Sequence, residues 1–302
     1  ADGLSACETF LLQALYRSKK LPCPYIGGSA GGKLDFQHTY LYDGQRVHEN
    51  HAVILVFKLA KDYRYSIFKT QAAEDTGTSY RIIGANASQR YVESVDDGSG
   101  VPTSFFAALK QHFHASSPEE LNAALASYTF ASTVNDAYFI RSMQSIDAVK
   151  DRVYFYCDVV SGEDLHLMRR TSLKATVTAD YAAFSRGKPR PIGGILNDCI
   201  LRRLTFAQET DRMDCFAGIP IAGFSAFGEI SGLHINETLT ALFFYHVPAG
   251  EPFEDDAMEN FITAYADYQK FFLQRVLHRH ESIARLKNRI IDYFEAYQRD
   301  IP

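Results

Sequence analysis

The sequence predicts an α/β fold of the α+β kind. It has two duplicated halves of mixed, largely antiparallel sheet with flanking helices, followed by a long C-terminal helix. Three observations predict it. A glycine–serine turn occurs twice, with Pro24, Gly27, Ser29, Ala30 and Gly32 recurring in register as Pro220, Gly223, Ser225, Ala226 and Gly228. Between the copies, short apolar runs of period two alternate with helical text. From residue 255 to 299 there is neither glycine nor proline, and apolar residues keep a helical period.

Asp2 precedes an amphipathic helix over 5–20, with Phe10, Leu11, Ala14 and Leu15 as its apolar stripe. The first glycine turn follows. Hairpin text comes next, with Tyr40, Leu41 and Tyr42 running into Asp43 and Gly44, and then an aliphatic strand over 52–57. Residues 63–70 alternate as a strand. Short strands at 81–83 and 91–92 read as a pair. Helices over 102–114 and 118–127 each open with a proline beside a polar cap. Residues 138–141, 153–157 and 165–168 read as an antiparallel set, and 171–185 as a helix. The second copy begins with a strand at 191–196, then Asp198, a helix over 199–210 and a strand at 240–245.

Each copy thus reads strand, Asp, helix, strand, turn, hairpin. The first copy's leading strand would lie before Ala1, so the expectation is a chain cut from a longer protein. The expected divisions are 1–62 as the end of the N-terminal half, 63–248 as the C-terminal half, and 249–302 as a helical connector or dimerisation segment. In the last of these, Val276, Ile283, Ile290 and Tyr297 recur every seven residues. Phe272, Leu286 and Tyr293 fill the second seam position, with Arg279 interrupting it. That pattern reads as a coiled-coil or bundle seam; the alternative is a helix packed on its own domain.

Composition bounds the function. The 302 residues make about two domains at the usual ~150 residues each. With 46% hydrophobic and 22% charged residues, the chain is not disordered, fibrous or membrane-embedded. Its longest apolar run, 239–245, is strand-sized, against the ~20 residues a membrane span needs. A net charge of −5 and a pI of about 6.1 disfavour a nucleic-acid surface. No signal-peptide text follows Ala1. Five cysteines without a C-x-x-C pair fit a reducing cytoplasm. His112 with His114, and His278 with His280, lack a nearby cysteine and read as solvated helix histidines.

The second copy resembles the FIST family of sensory domains, named from F-box and intracellular signal transduction proteins. The residues that carry the resemblance are Asp198 to Arg203, Gly223 to Glu229, and His234 to Ala241. The first copy, with Gly27 to Gly32, Phe36 and Thr39, is similar to the end of that family's N-terminal half. The chain departs mildly at Ala226–Phe227, where the family more often has Thr-Tyr or Thr-Phe, and at Glu237, where it often has Gln. The resemblance implies a cytoplasmic sensor of a small ligand such as an amino acid. It implies an output partner of the chemoreceptor, histidine-kinase or cyclic-dinucleotide type, to which the C-terminal helix would connect. A related branch is described as nitric-oxide-sensing haem proteins.

The residues themselves suggest where a ligand would sit. Gly27, Gly28, Gly31 and Gly32 let backbone approach a guest, with Ser29 and Ser225 adding hydroxyls; tight turns with close packing are the alternative. Arg141, Arg202 or Arg203 would hold a carboxylate by paired hydrogen bonds, and Glu229 an ammonium. Surface arginines, or an arginine paired with Glu229, are the alternative. Cys199 opens a helix, where a thiolate is favoured, but nothing nearby marks a catalytic partner, and a buried structural cysteine is the favoured reading. His234 reads as a haem axial ligand or a ligand contact, with His38 and His246 behind it. Phe227 and Asn236 complete the expected contacts. Gly27, Ser29 and Gly31 match the string of a hydrolase elbow, but a helix precedes and a hairpin follows, and Phe227 replaces the last glycine in the copy. The expectation is therefore a ligand-sensing homodimer without catalysis. The alternatives are a haem nitric-oxide sensor and a dimerisation module without a ligand.

Overall fold

A computed structural model describes residues 1–33, 35, 37–210 and 213–299. Helix α1 (Glu8–Ser18) follows Asp2, whose carboxylate accepts from the amides of Leu4 (2.9 Å) and Ser5 (3.2 Å). Strand β1 (Ile26–Gly28) carries the first glycine turn. Strands β2 (Leu41–Tyr42) and β3 (Val47–His48) form the expected hairpin, with Gly44 at φ +95°. The middle of the chain adds β4 (Tyr63–Gln71), β5 (Ala73–Asn86), β6 (Tyr91–Asp96), β7 (Thr103–Ser104), α2 (Phe105–Phe113) and α3 (Pro118–Leu125). Then come β8 (Tyr128–Val134), β9 (Ala137–Arg141), β10 (Met143–Asp147), β11 (Arg152–Phe155), β12 (Asp164–Arg170) and α4 (Leu173–Phe184). The second copy supplies β13 (Gly193–Cys199), α5 (Ile200–Thr205), α6 (Ala207–Thr210), β14 (Ile221–Ala226), β15 (Glu229–Ser231), β16 (Leu233–Ile235) and β17 (Thr238–His246). Helices α7 (Asp256–Glu259) and α8 (Phe261–Arg299) close the chain.

Three sheets matter for the site. An antiparallel sheet runs β10-β11-β6-β5-β12-β8-β9, with β7 attached to β6. Helices α2 and α3 cover it, burying Phe105, Leu109 and Leu121 against Ile82, Val95, Phe130 and Phe155. Both helices start at a serine whose hydroxyl accepts an amide hydrogen, Ser104 and Ser117. Pro118 sits in the first turn as expected, whereas Pro102 lies outside α2. A second sheet runs β14-β13-β17-β4, with β13 and β14 parallel. Leu173 and Val177 of α4 pack on Phe68, Ala241 and Phe243 there. The third sheet, β1-β15-β16, joins the two copies.

The duplication is visible in the pairing. Cys199 and Ala226 are parallel partners across β13 and β14, and Asp2 and Ala30 form a parallel bridge in the first copy. The copies diverge at residues 52–57, which form no strand. In the second copy, β17 lies between β13 and β4. Among the described residues no strand lies beside 52–57, and Leu55 is 79% exposed.

Two helical expectations are corrected. The buried face of α1 is Glu8, Thr9, Leu12 and Tyr16, not the stripe through Phe10, which is exposed. In α8, Phe272 is buried with Phe271 against Leu12, Tyr16, Leu233 and Ile235. It belongs to the fold's own core rather than to a free seam. Val276, Ile283, Ile290 and Tyr297 are exposed to between 36% and 60%. The side chains of Leu286 and Tyr293, and Phe36, lie outside the described residues.

Candidate functional site

The two glycine–serine turns meet. The Ser29 amide donates to the Gly228 carbonyl (2.8 Å), and the Phe227 amide donates to the Ser29 carbonyl (2.9 Å). Strand β1 pairs antiparallel with β15, setting Gly28 opposite Glu229. Gly31 lies under the Phe227 ring so closely that a Cβ would overlap it. The junction of the copies is therefore a backbone seam that admits no side chain at several points.

Buried polar side chains surround this seam. Ser29 is fully buried, and its hydroxyl donates to Glu8 Oε1 (2.9 Å). Arg90 holds the other Glu8 oxygen at 2.7 Å, and His234 Nε2 stands 3.7 Å from Oε1. Burial works against the charge on Glu8, but His234 and Arg90 outweigh it and hold the carboxyl below its ordinary range. Burial pushes His234 down, and the neighbouring Glu8 carboxylate opposes that by favouring the protonated ring. A Cβ on Gly228 would run into His234 Nε2 and lie 3.2 Å from Asn236 Nδ2. His234, Asn236 and Gly228 thus share one small space.

Next to it, Glu229 is completely buried. Burial, reinforced by the Asp198 carboxylate, pushes Glu229 well above the usual range and favours the protonated acid. The Cys199 thiol and the Thr238 amide approach it, yet neither oxygen completes a well-formed hydrogen bond. Both ring nitrogens of His234, both amide atoms of Asn236, and Nε and one terminal nitrogen of Arg202 are also buried without a hydrogen bond, His234 Nε2 having only its 3.7 Å ion pair with Glu8. Buried polar groups normally find partners, so these unpartnered atoms beside the seam make it the candidate site.

The structure brings together Ser29, Gly31, Cys199, Arg202, Phe227, Glu229, His234 and Asn236. Arg202 pairs with Asp198 rather than with Glu229. Arg141 is buried and donates to the His234 carbonyl (2.9 Å), fixing the strand rather than facing the space. Ser225 is exposed on β14 and Arg203 is half-exposed, so neither reaches the cluster. The Cys199 thiol is pushed well up by burial and by Glu229; a thiolate at the start of α5 is disfavoured. Glu237 turns the chain at φ +47° between β16 and β17, so His234 and Thr238 lie on different strands. Glu237 instead accepts from Arg170 (2.7 and 2.9 Å) and from Ser142 (2.8 Å).

The residues do not fit the haem that the resemblance implies. His234 Nε2 is pressed against Gly228, leaving no room for a porphyrin on that nitrogen. Two cavities open elsewhere. One of about 450 Å³ lies between Phe57, Tyr65, Phe253 and Met258, and one of about 230 Å³ lies beside α8; neither is lined by His234. No group of three or more metal-ligating side chains occurs among the described residues.

A second buried ionic cluster escaped the sequence. Arg275 of α8 pairs with Asp158, and its Nε lies 2.8 Å from Glu163 Oε1. Thr9, next to Glu8 on α1, donates to the same Asp158. The available signal was Arg275 standing beside Phe271 and Phe272, one charge in an otherwise apolar stripe.

A family model described as the FIST N domain matches residues 1–97, and one described as the FIST C domain matches residues 106–232. No curated protein and no solved structure matches the chain.

Proposed function

Because the chain belongs to the FIST family, whose domains are sensory domains of signal-transduction proteins, we propose that it binds a small polar ligand at the junction of its two copies and reports binding through α8. The observation that carries this is that Arg202, Glu229, His234 and Asn236, all buried near the seam, keep side-chain atoms without a hydrogen-bond partner. An amino acid or related metabolite offers the matching carboxylate and ammonium.

The link to α8 runs through α1. Glu8 faces the junction, and Thr9 holds Asp158, which holds Arg275. A ligand that moved Glu8 would shift that contact and bias the position of α8. No catalytic step is part of the proposal, since the Ser29 hydroxyl donates to Glu8 and is buried against Gly228. The exposed Ile283 and Ile290 suit a helix that pairs with a second copy or an output domain. Five free cysteines suit a cytoplasmic setting. Among the described residues no helix is long and apolar enough to cross a membrane.

A thermal-shift screen of the whole chain against amino acids and related metabolites tests the proposal. A ligand at about 100 times its Kd adds ~2.7 kcal/mol, which raises the melting midpoint by several degrees. Arg202→Ala should abolish the shift. If no small ligand raises the midpoint and Arg202→Ala changes no signalling output in cells, the proposal fails.

A further inference from the structure

The cavity of about 230 Å³ beside α8 has a composition distinct from the junction. Tyr16 and Tyr25, Phe261, and Tyr265 and Tyr268 supply aromatic walls from three parts of the chain. Ile67 and Lys69, two residues apart on β4, present the same face to it. The Lys69 ammonium donates to the Tyr138 carbonyl (3.2 Å) and lies 4.0 Å over the Phe139 ring. Among the described residues, no carboxylate forms an ion pair with it, so the lysine that lines this aromatic cavity holds its ammonium against neutral groups. Gly232 is kept small by the Tyr268 ring, and its carbonyl accepts from Tyr16 (3.0 Å), which fixes the far wall.

We propose that this cavity binds a small monocarboxylate with an aromatic or short aliphatic body, its carboxylate on the Lys69 ammonium and its apolar part between the tyrosines. A cation beside apolar walls favours an anion over a neutral isostere, because the low-dielectric surroundings strengthen the pair. Sites for drug-sized ligands hold roughly 300–1,000 Å³, so this one takes a single ring or a short chain. Burial pushes the Lys69 ammonium down to about 8, which still leaves it mostly charged at neutral pH. The guest would touch Phe261, Ala264, Tyr265 and Tyr268, all in the first two turns of α8. The site therefore addresses the helix directly and does not depend on what fills the junction.

Calorimetric titration of the full chain with phenylacetate and with phenylacetamide, its neutral isostere, tests the assignment. Phenylacetate should bind at least about tenfold tighter, a difference of ~1.4 kcal/mol. Lys69→Met should erase that preference, Lys69→Arg should retain it, and Ala264→Phe should fill the cavity and remove binding of both probes. Melting midpoints of the variants establish that they fold. Equal affinity for the two probes, no binding of either at about 10 mM, or a preference that survives Lys69→Met would overturn the proposal. So would loss of phenylacetate binding in Asn236→Leu with Lys69→Met unaffected, which would place the anion at the junction instead.

Discussion

Replacing Arg275 with methionine tests how α8 is held. Arg275, Asp158 and Glu163 are each at most 7% exposed, and Arg275 is the cation shared by both carboxylates. Burial pushes Asp158 upward, but Arg275, Arg141 and the Thr9 hydroxyl outweigh it and hold the carboxyl far below its ordinary range. Removing one partner of a buried pair leaves an uncompensated charge and costs about 3–5 kcal/mol. Arg275→Met should therefore lose about that much in urea unfolding followed by tyrosine fluorescence. The amides of α8 near residue 275 should also exchange faster with solvent. The pH dependence gives the sign. In the parent chain, Asp158 binds its proton more weakly folded than unfolded, so its contribution is full above the unfolded pKa and is lost as pH falls. Without Arg275 the burial effect takes over, and stability then falls as pH rises. The deficit of Arg275→Met should be largest near neutrality and shrink toward acid. A loss under about 1 kcal/mol, or a deficit that does not change with pH, would refute the reasoning.

Glu229→Gln should raise stability above the ordinary carboxylate range. The folded chain keeps the Glu229 proton that the unfolded chain releases, so stability falls as pH rises, by up to ~1.4 kcal/mol per unit while that difference persists. Denaturation curves at pH 5 and pH 8 check it, and an unchanged slope would count against the protonated acid. Gly31→Ala should cost about 1–3 kcal/mol by driving a methyl into the Phe227 ring, and Phe227→Ala in the same chain should recover most of it. If both variants melt together, that contact is not where the turns are pinned. Ile283→Asp with Ile290→Asp should convert dimers to monomers in sedimentation velocity, with little change in melting midpoint, since both side chains are exposed. A parent chain already monomeric would sink the pairing role of α8.

What was legible in the sequence was what local chemistry decides. The duplicated turn could be read because glycine and proline constrain backbone wherever they fall, and the same residues return in both copies. Helix α3 could be read because Ser117 caps it through its own side chain and Pro118 follows in the first turn. The strand at 52–57 was not, because a strand exists only beside a neighbour, and periodicity does not say whether one is there. Nor did the α1 stripe follow from its apolar residues: its inward face begins with Glu8 and Thr9, which are buried because Arg90, Ser29 and Asp158 receive them. Partners that lie 82 and 149 residues away leave no local trace. Ser29 and Ser225 show the limit of repetition itself. They occupy the same place in the motif, yet β1 turns Ser29 into the junction while β14 leaves Ser225 outside.

The polar interior is of two kinds, and the difference bears on function. Glu8 with Arg90, and Asp158 with Arg275, are paired and serve to fix α1 and α8. Glu229 and Asn236 are as deeply buried, and none of their side-chain oxygens or nitrogens completes a hydrogen bond, whereas in the paired clusters the unbonded atoms, such as Arg90 Nε and Arg275 Nη1, belong to side chains held by an ion pair. An unmet buried donor or acceptor costs about 1–3 kcal/mol, which an apolar side chain of the same shape would not incur. Such a deficit is removed when a ligand supplies the missing bonds, so part of the cost in the free protein returns as affinity. Asn236→Leu separates the two kinds. If the amide is directed at a guest, this near-isosteric change raises the melting midpoint of the unliganded chain and abolishes the ligand-induced shift together. If the amide were bonded within the fold, the same change would lower the midpoint, as removing a satisfied buried group does. A lower midpoint with ligand response intact would therefore take Asn236 out of the binding site, and with it the claim that unmet bonds at the junction await a ligand.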